Sequence, residues 1–143
     1  MRVLIAFLVL LSTLSTSAIS QPTIEQTHAA VKAAGGVEKF IAEIVRQSSK
    51  TLPQATNRNV EVQSVSSNGR KLAYTTRLLN TEKKDVFDLQ ALKAGNINYL
   101  ACGSPVLGAL IREYDAEVIY FVAARGNEFL FQYALNRSTC AGK

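Results

Sequence analysis

Residues 102–140 read CGSPVLGALIREYDAEVIYFVAARGNEFLFQYALNRSTC, and this stretch decides the fold. It contains both cysteines of the chain, Cys102 and Cys140. Gly103 interrupts what precedes it, Ser104 can cap a helix, and Pro105 falls in the first turn, where its missing N–H costs nothing. Val106, Leu107, Leu110 and Ile111 give that helix an apolar side. Ala116–Ala124 and Glu128–Asn136 then alternate as two strands around the turn Arg125-Gly126-Asn127. Val118, Tyr120 and Val122 share one face and Ile119 and Phe121 the other, so this strand is expected inside a sheet. Phe129, Phe131, Tyr133 and Leu135 make an apolar row on the return.

The N-terminus sets the compartment. Met1-Arg2 is a short basic start, Val3–Leu11 is apolar, and Ser12–Ser20 is rich in small residues, ending Ala18-Ile19-Ser20. That pattern reads as a secretory signal peptide over residues 1–20, leaving a single domain over 21–143. The apolar run is too short to cross about 30 Å of hydrocarbon. Gln21, not a cysteine, follows the cleavage point, so no lipid anchor and no stable membrane insertion are expected. Secretion across the inner membrane points to the bacterial periplasm. In that oxidising setting Cys102 and Cys140 are expected to form a disulfide. They lack the close spacing of a redox pair, and a metal site would need further thiolate or imidazole ligands. No cofactor is expected.

Loss of Arg2 with the signal leaves fifteen basic against eleven acidic residues, a net charge of +4. The basic residues are scattered rather than gathered into the stripe that nucleic acid requires, so nucleic acid is not an expected partner.

Upstream, Gln21–Ala34 is mildly helical and stops at Gly35-Gly36; its His28, the one histidine, is expected at the surface. Val37–Lys50 is the strongest helix, with Val37, Phe40, Ile41, Ile44 and Val45 at helical spacing. Thr51-Leu52-Pro53 ends it. Asn59–Val65 reads as a strand with Val60 and Val62 on one face and Val65 on the other. Asn68-Gly69 predicts a type I′ hairpin turn. Lys71–Leu79 returns with Leu72, Tyr74, Thr76 and Leu78 alternating. Thr81 or Asp85 can open a further helix carrying Val86, Leu89, Leu92 and Leu100 toward Cys102. Glu113, Asp115 and Glu117 read as a solvated helix-to-strand turn. The expectation is an α+β fold: a four-stranded antiparallel sheet of two hairpins packed with about three helices, in the order α-ββ-αα-ββ, with one disulfide.

SSKTLP at 48–53, ACGSPVLGAL at 101–110 and NRSTCAGK at 136–143 together resemble the α/β class of type II secretion pilotins. The matching positions are Leu52-Pro53 after a helix, Cys102 followed by Pro105, and Thr139-Cys140 near the end. The resemblance covers roughly residues 40–143. It implies a periplasmic chaperone or adaptor that binds a segment of the outer-membrane secretin. Pilotins carry a lipid on an N-terminal cysteine that this chain lacks, so the resemblance bears on fold more than on piloting.

No nucleophile with a base, metal cluster or facing carboxylate pair is visible, which argues against an enzyme. A binding or adaptor protein is expected, directed at another envelope protein or peptide segment. Tyr74, Tyr120, Phe131 and Tyr133 are the candidates to line its groove, because tyrosine pairs an apolar body with a hydroxyl that seeks water or a partner. The alternative is an exported inhibitor or immunity protein aimed at an envelope hydrolase. It would use projecting turns, with Asn68, Arg70 and Arg125 as probes.

Overall fold

A computed structural model describes residues 22–86, 88 and 101–141. Thr23 opens helix α1 (Ile24–Ala34) with a capping box: its hydroxyl accepts the Gln26 N–H while the Gln26 side chain accepts the Thr23 N–H. Two otherwise unpaired backbone donors are satisfied in this way. At the far end the Gly35 and Gly36 N–H groups donate to the Lys32 and Val31 carbonyls, a Schellman closure. Helix α2 (Val37–Ser48) follows immediately and buries Val37, Phe40, Ile41 and Ile44. These side chains meet Val65 and Leu72 of the sheet and Val106 and Leu110 of the helix opened by Ser104, forming the larger core cluster. At about 1.5–3 kcal/mol per buried large aliphatic or aromatic side chain, the stripe is the main reason this helix stays docked.

The sheet comprises β1 (Gln54–Ala55), β2 (Val60–Asn68), β3 (Lys71–Leu78), β4 (Glu117–Ala123) and β5 (Phe129–Leu135), side by side in that order. All neighbours are antiparallel except β3 and β4, which run parallel with Lys71 opposite Glu117 and Arg77 opposite Ala123. The expected four-stranded antiparallel sheet is therefore corrected to a five-stranded mixed one. The alternation along β3 and β4 is the same for either direction of pairing. What decides it is the connection over residues 79–116, which brings the chain back to the starting end of β3. β1 is missed because two residues carry no period.

The expected element order also changes. Two helices, not one, precede the first hairpin, and a short helix, α4 (Arg137–Cys140), follows the last strand. Lys83–Asp85 form a 3-10 turn where a longer helix was expected to begin. Leu89, Leu92 and Leu100 lie outside the described residues, and Ala101–Gly103 are helical. Helix α3 (Pro105–Tyr114) starts as its sequence indicates, with Pro105 in the first turn and the Ser104 hydroxyl accepting the Leu107 N–H. Its C-terminal Asp115 takes a left-handed conformation (φ 56°).

Two local details depart from the alternation. A bulge at Gln63 shifts the register, so Val62 faces Thr76 while Ser64 faces Thr75. The extra residue returns Val65 to the face of Val60 and Val62, contrary to the expected opposite placement. The hairpin turn is made by Gly69 (φ 59°) and Arg70, with Asn68 and Lys71 paired as the last strand residues. Only the first central position has a positive φ, which is the type II′ pattern rather than the type I′ expected from Asn-Gly.

The disulfide joins Cys102 to Cys140 with an S–S distance of 2.06 Å and Cα atoms 5.4 Å apart. Both cysteines are buried in a second cluster with Ala101, Ile111, Val118 and Leu135. Helix α3 approaches this unit closely because residue 108 is glycine. A Cβ there would fall 2.5 Å from the Cys102 carbonyl oxygen and 2.7 Å from Arg112 Nη2. Arg112 Nη1 donates to that same carbonyl at 2.9 Å. Both core clusters draw on the same side of the sheet, Val65, Leu72, Val118 and Leu135, so the described helices gather on one face.

Candidate functional site

Strand register brings three of the sequence-selected tyrosines into one row. Tyr74 of β3 lies opposite Tyr120 of β4, and Tyr120 lies opposite Tyr133 of β5. Neighbouring strands are about 4.8 Å apart, so residues in register bring their side chains into contact. The Tyr74 and Tyr120 rings stack with centroids 5.5 Å apart and planes 16° from parallel. Phe131, opposite Val122, belongs to the same helix-facing side but is buried. Leu107 of α3 packs beside the row, which spans the seam between the two core clusters.

The row is graded from interior to edge. Burial pushes the Tyr74 phenol well above its ordinary pKa, and the neighbouring Tyr120 adds to that rise. Burial raises Tyr120 to about 12. Tyr133, on the edge strand, is raised by burial to a lesser degree. All three stay neutral at physiological pH and retain some exposed surface. The arrangement offers a flat aromatic wall with hydroxyls able to donate or accept, suited to binding an apolar segment that carries a few polar groups.

The charged candidates do not join this row. β3 and β4 are parallel, so the Gly69-Arg70 turn and the Arg125-Gly126-Asn127 turn lie at opposite ends of the sheet. Seven residues of strand separate them by about 20 Å. Arg70 is also tied into the fold: Nη1 donates to the Tyr114 carbonyl at 3.2 Å, and its own carbonyl accepts the Glu117 N–H at 3.0 Å. Asn68 is an exposed strand residue beside that turn, and Arg125 is exposed at the other.

Other polar groups serve the structure. The Glu113-Asp115-Glu117 cluster diverges, with Asp115 3.8 Å from Arg137 and Glu117 3.3 Å from Lys71. Among the described residues no group of three His, Cys, Asp or Glu side chains could hold a metal ion. His28, expected to be a free surface residue, is half-buried, with Nδ1 2.6 Å from the Tyr114 hydroxyl. A separation of 86 residues hid that partner. On the helix-free face Arg77 donates to Glu61 Oε1 at 2.7 Å, while its buried Nε has no hydrogen-bond partner. Gln63 also hydrogen-bonds Glu61. This partly buried pair was not singled out from sequence, although Glu61 and Arg77 both interrupt alternating strands on what becomes one face.

No protein-family model matches the chain, and no curated protein does. Solved structures do. A pilotin of the type 2 secretion system of Vibrio vulnificus superposes with a TM-score of 0.59 at 9% identity, over 81% of this chain and 99% of its own. The type II secretion pilotin of Vibrio cholerae gives a TM-score of 0.59 at 8% identity, covering 79% and 97%. The chain has the fold of these pilotins. A protein from Pseudomonas aeruginosa described as secreted matches at a TM-score of 0.60 and 14% identity, covering 73% and 92%. At these identities the likeness speaks for the fold, and the resemblance first seen in the cysteine-proline and threonine-cysteine motifs extends across the described domain. Among the described residues no helix is long and apolar enough to cross a membrane.

Proposed function

We propose that this protein is an exported, non-catalytic binding protein of the bacterial envelope. It engages a segment of another envelope protein along the wall formed by Tyr74, Tyr120 and Tyr133. The observation that carries this reading is the row itself: three tyrosines in cross-strand register, each of them half-buried. A purely structural core would favour aliphatic side chains there, since a buried phenol must find a partner for its hydroxyl. The fold shared with pilotins supports the same class of role, because they too belong to secretion machinery. An assembly factor for such a machine is the specific form the proposal takes.

The test is crosslinking in the periplasm from a photoreactive residue at position 133, with a second at Ser66 on the helix-free face as control. The proposal expects one envelope protein captured from position 133 and lost on Tyr120→Ser. Capture of a hydrolase through position 125 or 70 would replace it with the inhibitor reading. Hydrolytic activity of the purified protein, abolished by a single substitution, would refute both.

A further inference from the structure

The fold finds partners for its other inward hydroxyls. Buried Thr27 donates to the Thr23 carbonyl at 3.1 Å, and buried Thr76 donates to the Phe121 carbonyl at 3.3 Å. The Tyr114 hydroxyl lies 2.6 Å from His28 Nδ1. The tyrosine row is different. Among the described residues none hydrogen-bonds the hydroxyl of Tyr74, Tyr120 or Tyr133. Nor are these oxygens sealed inside: the fully buried side-chain atom without a partner, among the described residues, is Arg77 Nε. Phenylalanine would give the same ring stack, so packing alone does not account for the three oxygens.

We propose that these three hydroxyls select the partner, by hydrogen-bonding the peptide groups of an uncharged stretch of the bound envelope protein. The inference rests on the reading of the wall as the binding site, and adds which atoms recognise what. A phenol both donates and accepts, so it can serve a backbone carbonyl or a backbone N–H. The row crosses three strands, about 10 Å, which is the reach of about three extended residues. The rows on either side of it, Leu72–Val118–Leu135 and Thr76–Val122–Phe131, carry no charge. A charged side chain brought to this place would lose its hydration and meet no opposite charge in these rows. A peptide group loses far less, and the phenols replace the water it gives up.

The experiment uses Tyr74→Phe and Tyr120→Phe, singly and together, which delete the oxygens and keep the stacked rings. Denaturant unfolding should find each variant at least as stable as the wild type, since no hydrogen bond within the protein is lost. Crosslinking from the photoreactive residue at position 133 should nevertheless fall about tenfold in the double variant. The captured peptide is then synthesised and titrated against the oxidised protein by fluorescence anisotropy. Exchange of its central residue for glutamate or lysine should weaken binding about tenfold or more. Undiminished capture by the double variant, or equal binding of the charged peptides, overturns the proposal while the wall stands as a binding surface. Loss of stability in the phenylalanine variants overturns it as well, because the hydroxyls would then be serving the fold. No capture from position 133 in the otherwise unaltered protein removes the wall and this proposal together.

Discussion

Replacing both Cys102 and Cys140 by alanine tests the part of the fold on which β5 and the tyrosine wall depend. The cysteines are separated by 38 residues in sequence. In the chain-entropy treatment, closing a loop of that length removes about 13 cal/mol/K from the unfolded ensemble, or about 3.9 kcal/mol at 25 °C. For a domain of this size each kcal/mol shifts the midpoint by about 3–5 °C, so the double variant should melt about 12–20 °C lower. Residual order at the site is expected, because Arg112 still donates to the Cys102 carbonyl and the Asn136 side chain still accepts the Thr139 N–H. The assay is paired thermal and urea unfolding under oxidising conditions. A rise in the urea m-value should accompany the loss, since an uncrosslinked unfolded chain exposes more surface. An unchanged melting midpoint would refute the reasoning, as would two titratable thiols in the native wild-type protein.

Gly108→Ala should be destabilising by about 1–3 kcal/mol although alanine is the better helix former, because its Cβ would meet the Cys102 carbonyl at 2.5 Å; denaturant melts showing a gain would remove the close approach. Alkaline titration should unfold the protein between pH 10 and 12. The unfolded chain ionises near 10 while folded Tyr120 holds its proton to about 12, so stability is full below pH 10 and Tyr120 alone costs about 2.3 kcal/mol by pH 12. Tyrosinate absorbance should appear together with loss of secondary structure; ionisation of all tyrosines at pH 10 in the folded state would contradict the burial of the row. Glu61→Gln should cost about 1–2 kcal/mol by leaving the Arg77 guanidinium short of its charged partner, whereas changing the more exposed Glu117, paired with Lys71, should cost less than about 1 kcal/mol. Chemical denaturation of the two variants side by side checks the order.

Much of the architecture follows from local rules that act within a few residues. Ser104-Pro105 marks the start of α3, the Val37-to-Ile44 stripe marks the face of α2, and the alternation in β4 marks an interior strand. Each signal is written in adjacent side chains because helix and strand periods are short. The bulge at Gln63 and the II′ turn at Gly69-Arg70 displaced two of these readings by one residue, which is the resolution at which patterns of period two fail. Tyr74, Tyr120 and Tyr133 were recognisable as candidates by residue type, but nothing in their spacing shows them to be neighbours.

The sequence by itself determined the α+β character, the placing of the main helices and hairpins, and the pairing of its only two cysteines, since each depends on local period, capping chemistry or a count of one possible pair. The tertiary structure alone decided that β3 and β4 run parallel and that β1 extends the sheet. It likewise decided that His28 meets Tyr114 and that the three tyrosines form one row. These outcomes depend on where the chain from residue 79 to 116 returns, and on contacts between residues tens of positions apart. Side-chain pattern constrains a strand's faces but not its direction or its neighbour, so packing of the helices on one face of the sheet supplies what the pattern leaves open.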